Sequence, residues 1–331
     1  MSNQWTAQRI SEVARSYQSA CVLEAAAELD IFNVLAERPL TAMDIAGIVG
    51  GDLRATTILL DALAALGFIQ KNQDRYSASE EVVALLTRQG PQNILATIQH
   101  QANCLRNWSQ LASVVKSGRP APRMPSVRGP EGDTASFIGA MHDRAAATAD
   151  GLIRKVNPTA IHHFLDVGGG SGSYTLAFLR ANGNAIATLF DLPQVILLAQ
   201  KRLSESGFTS RAKLVPGNFE TDPLPAGANF VWLSAIIHQN SREENRRLFA
   251  KSYASLVPGG RVGIRDMVMD SSRTSPVSGA LFAVNMLVAT QGGGTFTFDE
   301  ISEDLASAGF KNSTIVSQDE GMDSIVVAEK K

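Results

Sequence analysis

Apolar side chains along the first third of the chain recur at helical spacing. Across residues 10–35 they fall three and four positions apart, and the alanine-rich stretch 20–29 favours helix. A more compact pattern fills residues 40–86. Thr41 precedes an apolar run over 42–49, with Asp44 three residues on, which approximates a capping box. Gly50 and Gly51 break that helix, and a second is expected over 53–66, closed by Gly67. Residues 68–70 and 75–77 read as short strands around a turn at 71–74. Helix, turn, helix and hairpin make a winged-helix arrangement. Helix returns over 93–116, a loop rich in Pro, Gly and Arg fills 117–133, and a further helix covers 134–156.

The texture changes at His163. Strands are expected at 164–167, 185–190, 213–215, 230–234 and 261–266, with helices at 172–181, 192–206 and 242–256 between them. Such alternation gives a parallel sheet covered on both faces. A helix at 301–308 and a hairpin-like pair at 313–316 and 324–328 end the chain. The expected fold class is therefore α/β: a Rossmann-like domain, mostly parallel sheet with helices on both faces, behind an α-helical winged-helix domain. The boundaries are read as 1–115 for the helical domain, 116–156 for a linker and connecting helix, and 157–331 for the α/β domain.

A winged helix raises the question of DNA. Between Asp52 and Gly67 the second helix carries Arg54 against Asp52 and Asp61, and otherwise offers Leu, Ala, Thr and Ile. A groove-reading helix needs Arg, Lys, Asn or Gln aimed at base edges. Burial against a second subunit suits this helix better. Composition agrees: 331 residues suit two domains, 44% are hydrophobic and 19% charged, and the net charge of −2 is mixed along the chain. No clustered basic surface for a polyanion is apparent. Cys21 and Cys104 lack metal-ligand spacing and read as thiols of a reducing compartment, so no metal is expected. A polar start without an apolar core, and no run long enough for a bilayer, point to the cytoplasm and away from membranes.

The segment from Phe164 to Gly172 reads FLDVGGGSG, with Asp166, Gly168, Gly170 and Gly172 at alternate positions. It follows an apolar strand and opens a helix, the context of a nucleotide-binding turn. A dinucleotide's pyrophosphate would be repelled by a carboxylate at Asp166. S-adenosylmethionine (SAM) has no phosphate and carries a cationic amino group and sulfonium, which that acid suits. Asp191, at the end of the next strand, is placed to accept ribose hydroxyls. Each acid alone reads equally as a solvated strand end or a helix cap; together beside a glycine loop they point to the ligand.

These residues resemble class II small-molecule O-methyltransferases, the family of plant caffeic acid and hydroxyindole O-methyltransferases and of bacterial polyketide-tailoring enzymes. The resemblance rests on DVGGGSG, on DLPQV at 191–195, GNF at 217–219 and LVPGGR at 256–261, with Trp108, Gly118, residues 137–141 and AGF at 308–310 in family order. It covers nearly the whole chain. It implies a homodimer through the N-terminal domain, SAM in the C-terminal one, and a small-molecule acceptor between them. Carried over by position, Gly168, Asp191, Leu192, Asn218, Phe219 and Ser234 surround SAM. Asn218 departs from the usual acid, although an amide oxygen still accepts from the adenine amino group.

His238, just beyond the fourth strand at the carboxyl edge of the sheet, occupies the family's general-base position. An unperturbed imidazole titrates near about 6.5 and takes a phenolic proton near neutrality. Asp266 is the acid that orients it. The family's Asp-Trp after the histidine is Gln239-Asn240 here, and Thr295 stands where a second flanking Glu is usual. His100, His142, His162 and His163 read as structural or solvated. The acceptor pocket is expected to draw on Phe137, Met141, Asn285 and Met286, which core packing would explain equally well. Three functions follow: a SAM-dependent O-methyltransferase acting on an aromatic or polyketide-like hydroxyl; a repurposed member of the fold that binds SAM without transferring its methyl; and a winged-helix regulator, against which the near-neutral second helix argues.

Overall fold

The computed structural model describes residues 4–331. The chain forms two compact units that interleave along the sequence. One holds the residues up to Arg106 and Arg123–Ala140, the other Asn107–Pro122 and Met141–Lys331. Local contacts explain why the division does not fall at a single point. Ala121 N–H donates to the Val288 carbonyl at 3.0 Å, drawing 107–122 into the second unit. Phe137 meets His100 edge-on at 5.3 Å, holding 123–140 in the first.

In the first unit the helical pattern over 10–35 is divided among three helices: Ala7–Arg15, Tyr17–Glu28 and Ile31–Val34. The second break falls at Asp30, whose φ of 65° leaves the right-handed helical region. Thr41 and Asp44 do form a reciprocal capping box at the start of Ala42–Val49, and Asp52 caps Leu53–Ala65. Strand β1 (Leu40–Thr41) joins a hairpin of β2 (Gln70–Asn72) and β3 (Arg75–Ser77) in the order β1-β3-β2. The first hairpin strand starts later than expected. Phe68 N–H bonds back to the Leu63 carbonyl, so the helix ending occupies 67–69 and the turn shrinks to Gln73-Asp74. Helices Glu80–Leu86 and Leu95–Trp108 follow. Ala26, Ile31, Phe32, Ile45, Leu60 and Leu63 form the centre of this unit's core. Helix Ala7–Arg15, by contrast, buries none of its residues.

The helix Gly129–Lys155 begins inside the stretch read as loop. Beyond it lie β4 (His163–Val167), β5 (Ile186–Asp191), β6 (Ala212–Pro216), β7 (Ala228–Ser234) and β8 (Leu256–Asp266). Then come β9 (Val268–Met269), β10 (Phe296–Thr297), β11 (Lys311–Ser317) and β12 (Ser324–Glu329). Seven strands make one sheet in the order β11-β12-β8-β7-β4-β5-β6, and β9 pairs with β10 separately. Strands β4 to β8 run parallel, while β12 is antiparallel to β8 and to β11. Strand order reverses at β4, which has β5 on one side and β7 on the other. A crevice outside the carboxyl ends of the strands opens at such a point.

Period-two alternation sends successive side chains to opposite faces. Leu165, Val167, Val231, Leu233, Val262 and Ile264 pack on one face, and Phe164, Phe230, Trp232 and Ile325 on the other. Among the described residues no helix is long and apolar enough to cross a membrane. Phe164 is fully buried and stacks at 4.3 Å on Phe178 and 6.1 Å from Phe230. Phe164→Ala is expected to cost about 3–5 kcal/mol, read as a lowered denaturation midpoint at unchanged m-value.

Candidate active site

The turn after β4 is built for close approach. Gly168 has φ 63°, and a Cβ there would sit 2.8 Å from Ile236 Cδ1, so a side chain would strain the backbone and crowd Ile236. Gly170 has φ 57° and nothing within 4 Å of its missing Cβ, which leaves open space above the loop. Its N–H donates to Asp191 Oδ2 at 2.8 Å, while Asp191 Oδ1 accepts from Leu192 N–H at 2.7 Å. Asp191 is half-buried and Leu192 is exposed. Burial raises the Asp191 carboxyl, and the two backbone donors pull it back.

Asp166 lies elsewhere than expected. It is 1% exposed, and its Oδ2 accepts from Thr175 Oγ1 at 2.7 Å and Thr175 N–H at 3.1 Å. The acid expected to face the cationic groups of SAM therefore holds the loop from beneath, anchoring helix Ser173–Ala181, which starts after Gly172. Burial first, and then the charge of Asp191, push its carboxyl up to about 7 against the opposing Thr175 hydrogen bonds.

Beyond β6, Asn218 Oδ1 accepts from Glu220 N–H at 2.9 Å, so a backbone group already claims the amide oxygen expected to meet adenine. The Asn218 N–H donates to Asp222 Oδ2 at 2.8 Å. Lys251 donates to the carbonyls of Phe219 and Glu220 at 2.8 and 2.7 Å, which fixes the half-buried Phe219 and its turn. On β7, Ser234 Oγ is buried with no hydrogen-bond partner among the described residues. An orphaned hydroxyl at a strand end is unusual and suits a bound polar group.

His238 stands on the short 3-10 turn Ile237–Gln239 that follows β7. It is 7% exposed. Its Nδ1 lies 2.9 and 3.0 Å from the two carboxylate oxygens of Asp266, at the end of β8. Asp266, 1% exposed, also accepts from Met267 N–H at 2.8 Å. A carboxylate at Nδ1 makes that nitrogen the donor and leaves Nε2 as the acceptor. Asn240 donates to Asn245 Oδ1 at 3.1 Å, and Asn245 to the Ile237 carbonyl at 2.9 Å, bracing the turn. Gly294 N–H binds the His238 carbonyl at 2.9 Å. Thr295 is buried, its carbonyl taken by Arg273. Among the described residues Asp266 is the only carboxylate paired with the imidazole.

The sequence model of the O-methyltransferase domain matches residues 108–311, and that of the O-methyltransferase dimerisation domain matches 11–88. The chain belongs to the O-methyltransferase family. It is 30% identical to the 3-hydroxy-5-methyl-1-naphthoate 3-O-methyltransferase of Streptomyces sahachiroi, over 91% of this chain and 88% of that one. Tetracenomycin polyketide synthesis 8-O-methyl transferase TcmO of Streptomyces glaucescens is 28% identical over 97% and 96%. The structure of PigF with SAH superposes with a TM-score of 0.87 at 25% identity, covering 98% and 100% of the two chains. This O-methyltransferase is a SAM-dependent enzyme.

The site fits that donor. Gly170 leaves space, Asp191 presents a strand-end carboxylate, and Ser234 offers an unclaimed hydroxyl. The substrate-side candidates divide. Asn285 and Met286 share helix Val277–Ala289 in the second unit, whereas Phe137 belongs to the first unit and the half-buried Met141 to the second. Sequence reasoning did not find that helix, nor Phe282 on it, whose ring meets His238 edge-on at 4.9 Å. It also missed Thr175 and Lys251, which act through hydrogen bonds that no local pattern advertises. His142, taken as structural, accepts from Arg202 at 2.9 Å behind Ser171 of the glycine loop, and burial lowers its pKa.

Asp166 yields a pH prediction. Its folded value lies above the roughly 3.9 of an unfolded Asp, so its stabilising contribution is complete below that value. The contribution is lost as pH rises through about 7. Asp166→Asn keeps an oxygen for Thr175 and removes the titration. The melting temperature of the variant minus that of the wild type should rise steadily from pH 4 to 7, by the equivalent of about a few kcal/mol. A flat difference across that range would contradict the assignment.

Proposed function

We propose that this O-methyltransferase methylates a hydroxyl of an aromatic or polyketide-like small molecule, with His238 as general base. The observation that carries the reading is the buried His238–Asp266 pair, with Nδ1 at 2.9 and 3.0 Å from the carboxylate. When bound, SAM supplies a methyl group already activated by its sulfonium. The remaining work is alignment and proton removal. Asp266 holds the imidazole in the tautomer that leaves Nε2 free to take the hydroxyl proton, and it stabilises the imidazolium that results. Phe282 packs edge-on against the ring. On this reading Asp191, Leu192 and Phe219 would hold the adenosine and Ser234 the methionine portion. An aromatic acceptor agrees with the relatives, whose names specify a hydroxynaphthoate and tetracenomycin.

The first unit supports a homodimer. Ile10, Val13 and Tyr17 are 56%, 59% and 54% exposed along the amphipathic start of the chain, and Leu53 and Ile58 on the winged-helix helix are 44% and 54% exposed. Apolar exposure of this kind favours a protein partner over a phosphate backbone. Reversing it with Ile10→Glu and Val13→Glu together should weaken association at least about tenfold, since each buried side chain contributes about 1.5–3 kcal/mol. Sedimentation across a concentration series reads the shift, and an unchanged dimer would exclude this helix from the interface.

For the reaction, His238→Gln should lower kcat by about 10²–10⁴ at unchanged SAH affinity. Asp266→Asn should lower it by roughly an order of magnitude or more through the wrong tautomer. Both are read as methylated product against SAH released, using a panel of phenols. A His238→Gln enzyme at wild-type rate would remove the base. An acceptor converted while SAM stays intact would instead identify a repurposed fold.

A further inference from the structure

His238 meets the edge of Phe282, and Asn285 lies three residues further along the same helix, Val277–Ala289. Residues three apart share a helix face, with Cβ atoms about 5–6 Å apart. Phe282 thus brings this helix up to the imidazole, and Asn285 lies on the same stretch of its face.

The Asn285 carboxamide has a fixed orientation. Trp108 Nε1 lies 2.8 Å from Asn285 Oδ1. An indole N–H is a donor only, and only the oxygen end of a carboxamide accepts. The oxygen therefore faces Trp108, and the Nδ2 donors face the other way. Among the described residues Nδ2 has no hydrogen-bond partner, although Asn285 is half-buried. Trp108 is itself held in place. It packs against the cluster of Val114, Ala121 and Val288, and the Ala121–Val288 backbone bond closes that segment onto the same helix.

We propose that Trp108 is a positioning residue that determines acceptor specificity. By occupying the Asn285 oxygen it presents two N–H donors beside the base. The site thereby selects hydroxyls whose own ring, or the ring fused to it, carries a carbonyl or carboxylate oxygen. An acceptor lacking that oxygen leaves a half-buried donor unpaired, which is where discrimination by hydrogen bonding is strongest. The assignment rests on the acceptor reading above and sharpens it from aromatic hydroxyls to hydroxyls paired with an oxygen acceptor.

The test is equilibrium binding to the full chain saturated with SAH, using two near-isosteric probes, 4-acetyl-2-naphthol and 4-isopropyl-2-naphthol. Wild type should bind the ketone at least about tenfold more tightly. Trp108→Phe keeps the packing, frees the amide to turn, and should bring the ratio within about twofold. Asn285→Asp still accepts from the indole but has no donor, and it should abolish or reverse the preference even where the tryptophan variant fails to fold. SAH affinity in the same titrations reports folding. Equal binding of the probes by wild type, or a preference that survives Trp108→Phe, overturns the proposal. The readout needs no methyl transfer, so failure of the base shows separately: His238→Gln would then make product at wild-type rate while the probe ratio stands.

Discussion

The hydrogen bond from Gly170 N–H to Asp191 joins the loop leaving one strand to the end of its neighbour, and the crevice end of the sheet is organised around it. Beneath the same loop, Asp166 holds Thr175 and so the start of the next helix. Two carboxylates therefore flank one short turn of backbone. Both are raised by burial, and the charge of Asp191 raises Asp166 further. The protein sustains this unfavourable electrostatics because the donors of Thr175, Gly170 and Leu192 offset part of it. A cationic ligand relieves the remainder, and a phosphate would aggravate it. On the proposed reading, a sulfonium compound would suit this pair of acids better than a dinucleotide would. That does not need Asp166 to touch the ligand, which at 1% exposure it scarcely could.

A similar economy governs His238. Its partner Asp266 accepts from the imidazole and from the Met267 backbone, so the buried carboxyl group is met by hydrogen-bond donors. The turn that carries the imidazole is held independently, by the Asn240–Asn245–Ile237 chain on one side and by Gly294 on the other. Orientation and charge are supplied by different groups. Replacement of a second acid by Thr295 therefore leaves the geometry of the ring standing.

How much of this was legible beforehand depends on the range of the interaction. The glycine loop, Asp191 and His238 sit at strand ends that alternation alone could locate, and the Thr41–Asp44 capping box is a four-residue signal. Helix Val277–Ala289 was not legible. Its sequence, VSGALFAVNMLVA, is apolar on nearly every side, so neither helical nor strand period stands out. The break at Asp30 was hidden inside a continuous apolar rhythm. The Trp108–Asn285 bond spans 177 positions, and nothing near either residue predicts it. The same holds for the interleaving of the two units, which depends on where single backbone bonds such as Ala121–Val288 close. Asp166 was correctly located but given the wrong depth, since period-two alternation states a face and not an exposure.

The departures at Asn240 and Thr295 have a chemical consequence together. Asn240 serves the turn, as its amide pair with Asn245 shows, and it adds no charge near the ring. Among the described residues Asp266 is the one carboxylate at the imidazole. If His238 takes the proton, as proposed, a hydroxyl that is already acidic gives it up most readily. A carbonyl conjugated to a phenol withdraws charge from the phenolate and lowers its pKa. The same carbonyl is the group that a donor fixed by Trp108 would hold. On the two proposals together, one kind of acceptor is favoured, in which the oxygen that would bind Asn285 would also ease proton transfer to His238.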